Sequence, residues 1–99
     1  MKDIIEKGLL FDFYGELLTD HQKEVYSDLI NNDLSISELA ESYGITRQAA
    51  SDLVKRIDRV LEGYEEKLKL VKRFENIRKR VNELENLSDE DRNYILREL

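Results

Sequence analysis

The 99-residue chain has no cysteine, no proline and no tryptophan, one histidine and four glycines. Without cysteine there is neither a disulfide framework nor a thiolate metal site, which suits a reducing cytoplasm. Without proline, and with glycine only at Gly8, Gly15, Gly44 and Gly63, little interrupts a chain rich in Leu, Glu, Lys and Arg, so helix is favoured throughout. No segment alternates apolar and polar residues with period two, so no strand is expected. The longest apolar stretch, Gly8–Phe11, is flanked by Glu6, Lys7 and Asp12. That is far short of the roughly 18 residues of a membrane span, and no segment has the layout of a signal peptide. A cytoplasmic protein without membrane association is expected.

Signatures of catalysis are also missing. There is no phosphate loop, nucleophilic triad or metal cluster. His21 stands in the first turn of a helix with no nucleophile or second ligand near it in sequence, and reads as a solvated side chain. Asp89, Glu90 and Asp91 are consecutive, so they cannot converge on one ion from a single helix face; they complement a helix N-terminus instead. No catalytic residue, cofactor or metal is expected, and the chain reads as a binding or regulatory module.

What the chain has is charge. Asp, Glu, Lys and Arg make up 38% of it, against roughly 25% in an average globular protein. The net charge of −6 argues against a general affinity for nucleic acid, but it is unevenly distributed. Met1–Thr46 carries 3 Lys/Arg against 10 Asp/Glu, Arg47–Arg80 carries 11 against 6, and Val81–Leu99 carries 2 against 6. A basic middle therefore separates two acidic ends. It serves equally as a solvated, salt-bridged helix face or as a binding surface.

The apolar 40% is spaced by threes and fours, and 99 residues make one domain, 1–99, of all-α class. Ile4 to Leu18 forms a first amphipathic helix. Thr19 and Gln22 make a capping box for a second, which runs through Val25, Tyr26, Leu29 and Ile30 to the Asn31-Asn32-Asp33 turn. Ser35 and Glu38 make another box for a short helix that ends at Gly44, the residue best suited to a left-handed conformation. Thr46 caps the next helix. Apolar positions then continue through Leu61, Tyr64, Leu68, Val71, Phe74, Ile77, Val81 and Leu84, giving a long basic amphipathic helix over 61–86, either continuous or as two collinear pieces. Gly63 is a candidate kink. Ser88 caps a short C-terminal helix, 88–99, that carries Tyr94, Ile95 and Leu99. Tyr26, Tyr43 and Tyr64 lie on apolar stripes and are expected in a core or an interface.

Residues 35–57 combine the requirements of a helix-turn-helix. Ala40 allows close helix contact, Gly44 makes the turn, and Ile45 is expected to enter the core behind it. The outward face of the second helix falls to Arg47, Gln48, Ser51, Asp52 and Lys55. On a nucleic acid, Arg suits guanine and Gln suits adenine, while Lys55, Arg56 and Arg59 reach phosphate. Asp52 is unfavourable near phosphate but can accept a hydrogen bond from a cytosine amine. The competing reading makes Arg47 and Gln48 ordinary surface residues of a first helical turn. Lys72, Arg73, Arg78 and Lys79 extend the candidate nucleic-acid-binding set along the basic helix.

Asp20 to Ile57 resembles the helix-turn-helix of region 4 of bacterial sigma factors. Leu9, Leu10, Phe11, Asp12, Phe13, Tyr14, Gly15 and Leu17-Leu18-Thr19, then LAESYGITRQAASDLVKR and LEGYEEKL, make nearly the whole chain similar to the YlxM family, small sigma-like proteins of Gram-positive bacteria. The resemblance implies a non-catalytic regulatory role in the signal recognition particle pathway, a role attributed to the family from its genes lying beside those of the particle's GTPase and receptor. The expected ligand is then the particle's RNA or its GTPase; the alternative is a transcription regulator that reads DNA sequence. The apolar line from Leu61 to Leu84, with the aromatic first helix, exceeds what one short bundle covers, so a homodimer is expected.

Overall fold

Short polar residues mark where the helices start, and the backbone follows them. The computed structural model describes residues 3–84 and 88–98. In order, the elements are α1 (Ile4–Tyr14), a 3₁₀ turn (Gly15–Leu17), α2 (Asp20–Ile30), α3 (Ile36–Tyr43), α4 (Arg47–Leu68), α5 (Leu70–Glu83) and α6 (Asp89–Glu98). The fold is all-α, with no strand among the described residues.

Asp3 caps α1 by accepting from the Glu6 backbone N–H at 2.9 Å. Both capping boxes close in full. Thr19 Oγ1 accepts from the Gln22 N–H, and the Gln22 side chain accepts from the Thr19 N–H. Ser35 and Glu38 do the same at 3.1 and 3.0 Å. The Ser35 backbone N–H, and after it the Ser35 side chain, hold the Glu38 carboxyl below its usual range. Thr46 and Ser88 cap α4 and α6 through the Ala49 and Asp91 N–H groups. Each of these bonds satisfies a donor that a bare helix start leaves unpaired.

Three expectations need correction. The first helix stops at Tyr14 instead of running to Leu18, and the chain tightens into a 3₁₀ turn at Gly15. Gly15 is buried, and a Cβ there would lie 3.1 Å from two carbons of the Phe11 ring. The Phe11 ring thus takes the space that a side chain at position 15 would need. Second, the helix expected over 61–86 is interrupted away from Gly63, through which the 22-residue α4 continues. The interruption falls at Lys69, whose φ of 55° is left-handed. Third, Ile45 stays 38% exposed. Gly44 adopts φ 67°, and the Gly44 and Ile45 N–H groups return to Glu41 and Ala40. This double closure lays Ile45 across the end of α3 instead of under it. Residues 85–87, at the end of the helix expected over 61–86, and Leu99 lie outside the described residues.

The chain divides into two compact units, Met1–Leu68 and Lys69–Leu99. The first is built on a buried line from α1 to α4: Leu10, Tyr14, Leu18, Val25, Tyr26, Leu39, Ala40, Ala50, Val54, Ile57 and Leu61. In the second, Arg92 of α6 closes the end of α5. Its Nε donates to the Val81 carbonyl at 3.2 Å and its Nη2 to the Leu84 carbonyl at 2.7 Å, while Nη1 pairs with Asp89. A cation on the last carbonyls of a helix offsets the negative end of its dipole.

The first unit is tied across its core by tyrosine–carboxylate hydrogen bonds. Tyr14 donates to Glu65 at 2.5 Å, joining α1 to α4. Tyr26 donates to Asp58 at 2.5 Å, joining α2 to α4. Tyr43 donates to Asp28 at 2.6 Å, joining α3 to α2. Asp58 also pairs with Lys7 of α1 at 3.2 Å. Each ring supplies apolar area to the interior, while its hydroxyl finds a charged acceptor at the edge. Burial first, then the hydrogen-bonded carboxylate, pushes the Tyr26 and Tyr43 phenols well above the ordinary tyrosine range.

A raised phenol pKa means that the folded state keeps a proton the unfolded chain releases near pH 10. Its stabilisation is complete below about pH 10 and declines as pH rises beyond it. Urea denaturation should therefore show a stable plateau from pH 7 to 9 and a falling midpoint above pH 10. At pH 8, Tyr26→Phe should lose about 1.5–3 kcal/mol, the scale of a hydrogen bond to a charged group. A midpoint unchanged by this substitution would contradict the role assigned to Asp58.

Candidate nucleic-acid interface

Helix α4 has two faces with different jobs. Ala50, Val54, Ile57 and Leu61 are buried at steps of four, three and four. The two acids nearest that side, Asp58 and Glu65, are engaged by Tyr26 and Lys7 and by Tyr14. On the other face Arg47, Gln48, Asp52, Lys55, Arg56 and Arg59 are exposed and Ser51 is half-buried. At about 100° per residue, Gln48, Lys55 and Arg59 share one stripe opposite the buried line. Arg47 and Ser51 flank it on one side, and Asp52 and then Arg56 on the other.

The turn that presents this face is local. Gly44 closes α3, and Thr46 starts α4 two residues later. The close packing of α3 on α4 uses Leu39, Ala40 and Ala50, all buried. This is the geometry of a helix-turn-helix, in which the start of the second helix projects from the surface. Among the described residues, Arg47, Lys55, Arg56 and Arg59 form no ion pair, so their charges are directed to solvent. Exposed cations spaced along one helix face form the electrostatic footprint of a polyanion site.

Gln48 does not stand free on this face. Its Nε2 donates to Asp52 Oδ1 at 3.0 Å, one helical turn on. The i, i+4 spacing of an amide and a carboxylate is the sequence signal for such a pair, although composition alone singles out neither residue. The link also alters the expected reading of Gln48. With one Nε2 hydrogen on Asp52, a bidentate contact with adenine is left to the second Nε2 hydrogen and to Oε1.

Lys72, Arg73, Arg78 and Lys79 are all exposed, but they stand on α5 in the second unit. Lys72 and Lys79 share a stripe two turns apart, Arg73 lies to one side of it, and Arg78 lies on the far flank. The candidate residues therefore form two groups, six on α4 and four on α5. Among the described residues, no three His, Cys, Asp or Glu side chains are grouped as metal ligands. Among the described residues, no helix is long and apolar enough to cross a membrane.

Comparison with known proteins agrees with this geometry. A family model for YlxM / p13-like helix-turn-helix proteins (UPF0122) matches residues 1–98. A UPF0122 protein of Desulforamulus reducens is 44% identical over 89 residues, covering 90% of this chain and 76% of that protein. The UPF0122 protein YlxM of Bacillus subtilis is 46% identical over 79 residues, covering 80% of this chain and 72% of its own. A Listeria welshimeri UPF0122 protein is 46% identical over 78 residues, covering 79% and 71%. The chain carries the helix-turn-helix at the centre of that match, and it belongs to the YlxM / p13-like family of helix-turn-helix proteins.

Proposed function

We propose that this is a non-enzymatic regulatory protein of the cytoplasm that works by binding nucleic acid through the exposed face of α4, and that its ligand is the RNA of the signal recognition particle. The observation that carries the reading is the set Arg47, Lys55, Arg56 and Arg59, exposed and without ion pairs among the described residues, on a helix whose opposite face is buried. The cations of α5 (Lys72, Arg73, Arg78 and Lys79) contribute to the same affinity, and the GTPase component is the second candidate partner within that particle. The acidic total of −6 fits a ligand met at one basic face better than indiscriminate adsorption.

A second reading, a regulator that reads duplex DNA, is favoured by one observation. The first turns of α4, with Arg47, Gln48 and Ser51, project where the recognition helix of a DNA-binding helix-turn-helix enters the major groove.

Binding titrations of the purified chain against the particle's RNA, its GTPase and duplex DNA separate these readings. RNA binding should weaken linearly in log–log form as salt rises. Arg56→Ala with Arg59→Ala should lower that slope by about 1.4, or about 0.7 per phosphate contact on single-stranded RNA. Failure to bind either component of the particle at low salt overturns the assignment. Binding to duplex DNA alone establishes the second reading.

We further propose that the protein is a homodimer. Ile4, Ile5 and Leu17 of the first unit, and Leu70, Ile77, Leu84, Tyr94 and Ile95 of the second, are exposed large apolar side chains. Apolar surface of this kind is covered in assemblies. Sedimentation at micromolar concentration should give twice the mass of 11.7 kDa. A single monomeric species there contradicts the dimer.

A further inference from the structure

One pair on the α4 face is chemically unlike the cations around it, and the difference lies in one hydrogen bond. Gln48 Nε2 donates to Asp52 Oδ1 at 3.0 Å, and both side chains are exposed. Since a carboxylate can only accept, the amide is fixed in orientation, with its nitrogen toward Asp52 and its Oε1 turned away. Beyond that bond the pair offers a ligand the Gln48 Oε1, the second Nε2 hydrogen and the second Asp52 oxygen, so that acceptor positions predominate. The pair thus stands among the cations Arg47, Lys55, Arg56 and Arg59, and Asp52 is the anionic acceptor within that group.

Nucleobase edges differ in what they return. In the major groove guanine shows two acceptors, N7 and O6, which the Asp52 carboxylate repels. To that carboxylate adenine shows the N6 amine beside the N7 acceptor, one match and one clash. Thymine shows O4 and a methyl group. Cytosine alone shows the N4 amine with no acceptor beside it. An unpaired cytosine in RNA exposes the same amine, there beside the N3 acceptor, whereas uracil carries an acceptor oxygen in place of the amine. In a cytosine–guanine pair the guanine acceptors fall beside the amine, where a neighbouring cation of the face is the suited partner.

We propose that the Gln48–Asp52 pair makes the α4 face select cytosine, with Asp52 accepting from the N4 amine and the surrounding cations holding the phosphate backbone. Asp52 is then a specificity residue that lowers non-specific affinity by placing a negative charge among phosphates. The inference rests on the proposed nucleic-acid role of this face.

The test uses the full chain and anisotropy titrations against 20-nucleotide oligo(C) and oligo(U) RNA. A parallel arm uses 20-base-pair duplexes of alternating dG–dC and of alternating dA–dT. The wild type should prefer the cytosine-containing ligand by about tenfold in the arm that matches its natural ligand. Asp52→Ala should abolish that ratio and bind the uracil or dA–dT ligand more tightly than wild type, since the negative charge among the phosphates is gone. The substituted position is solvent-exposed and alanine is a strong helix former, so thermal melting should be unchanged. Binding without a cytosine preference, or a preference that survives Asp52→Ala, overturns the selection while leaving nucleic-acid binding intact. Absence of binding in both arms overturns the nucleic-acid reading itself, and this inference with it.

Discussion

Asp58 is where the first unit is held together. One carboxylate of α4 accepts from the Tyr26 hydroxyl of α2 at 2.5 Å and pairs with Lys7 of α1 at 3.2 Å, so three helices meet on one charge. A partly shielded carboxylate is costly without partners; here a cation and a phenol supply them. Along the same helix, Glu65 takes the Tyr14 hydroxyl. Asp28 takes the Tyr43 hydroxyl and thereby holds α3 to α2. With its inner side fixed by these contacts, α4 cannot rotate about its axis without breaking them. The orientation of its outer side is settled by the same bonds.

That constraint also explains how an acidic protein presents a basic surface. Of the acids in the first three turns of α4, Asp58 is turned inward and neutralised by Lys7, and Asp52 is tied to Gln48. Arg47, Lys55, Arg56 and Arg59 are left to face solvent. The balance of charge over a sequence segment is thus a poor guide to the field at its surface. What counts is which charges the fold uses inside. The same inward pull makes Asp52 conspicuous, since it is the carboxylate that remains within the cationic part of the face.

Much of the fold was legible because its signals are local. Thr19 with Gln22, Ser35 with Glu38, Thr46, Ser88 and Gly44 act within three or four residues of themselves, and each does in the structure what its chemistry dictates. The expectations that failed depended on partners distant in sequence. The Phe11 ring fills the space beside Gly15 where α1 gives way to the 3₁₀ turn, and the left-handed Lys69 carries no side-chain signature that would distinguish it from the nearby lysines. Tyr26 and Tyr43 were recognisable as apolar-stripe residues, but their acceptors, Asp58 and Asp28, lie 32 and 15 residues away. The face of α4 was legible as a set of residues, since helical periodicity alone assembles it. The hydrogen bond between Gln48 and Asp52 is allowed by their i, i+4 spacing, but many such spacings stay open, and the structure shows that this one closes.

The central claim is that one face of α4 meets nucleic acid while the other is committed to the core. Amide chemical-shift mapping of the isotope-labelled chain, titrated with the signal recognition particle RNA, addresses it residue by residue. The largest shifts should fall at Arg47, Gln48, Ser51, Asp52, Lys55, Arg56 and Arg59, with Ala50, Val54, Ile57 and Leu61 little changed. Shifts confined to α1 or α6, or spread evenly over both faces of α4, would contradict it.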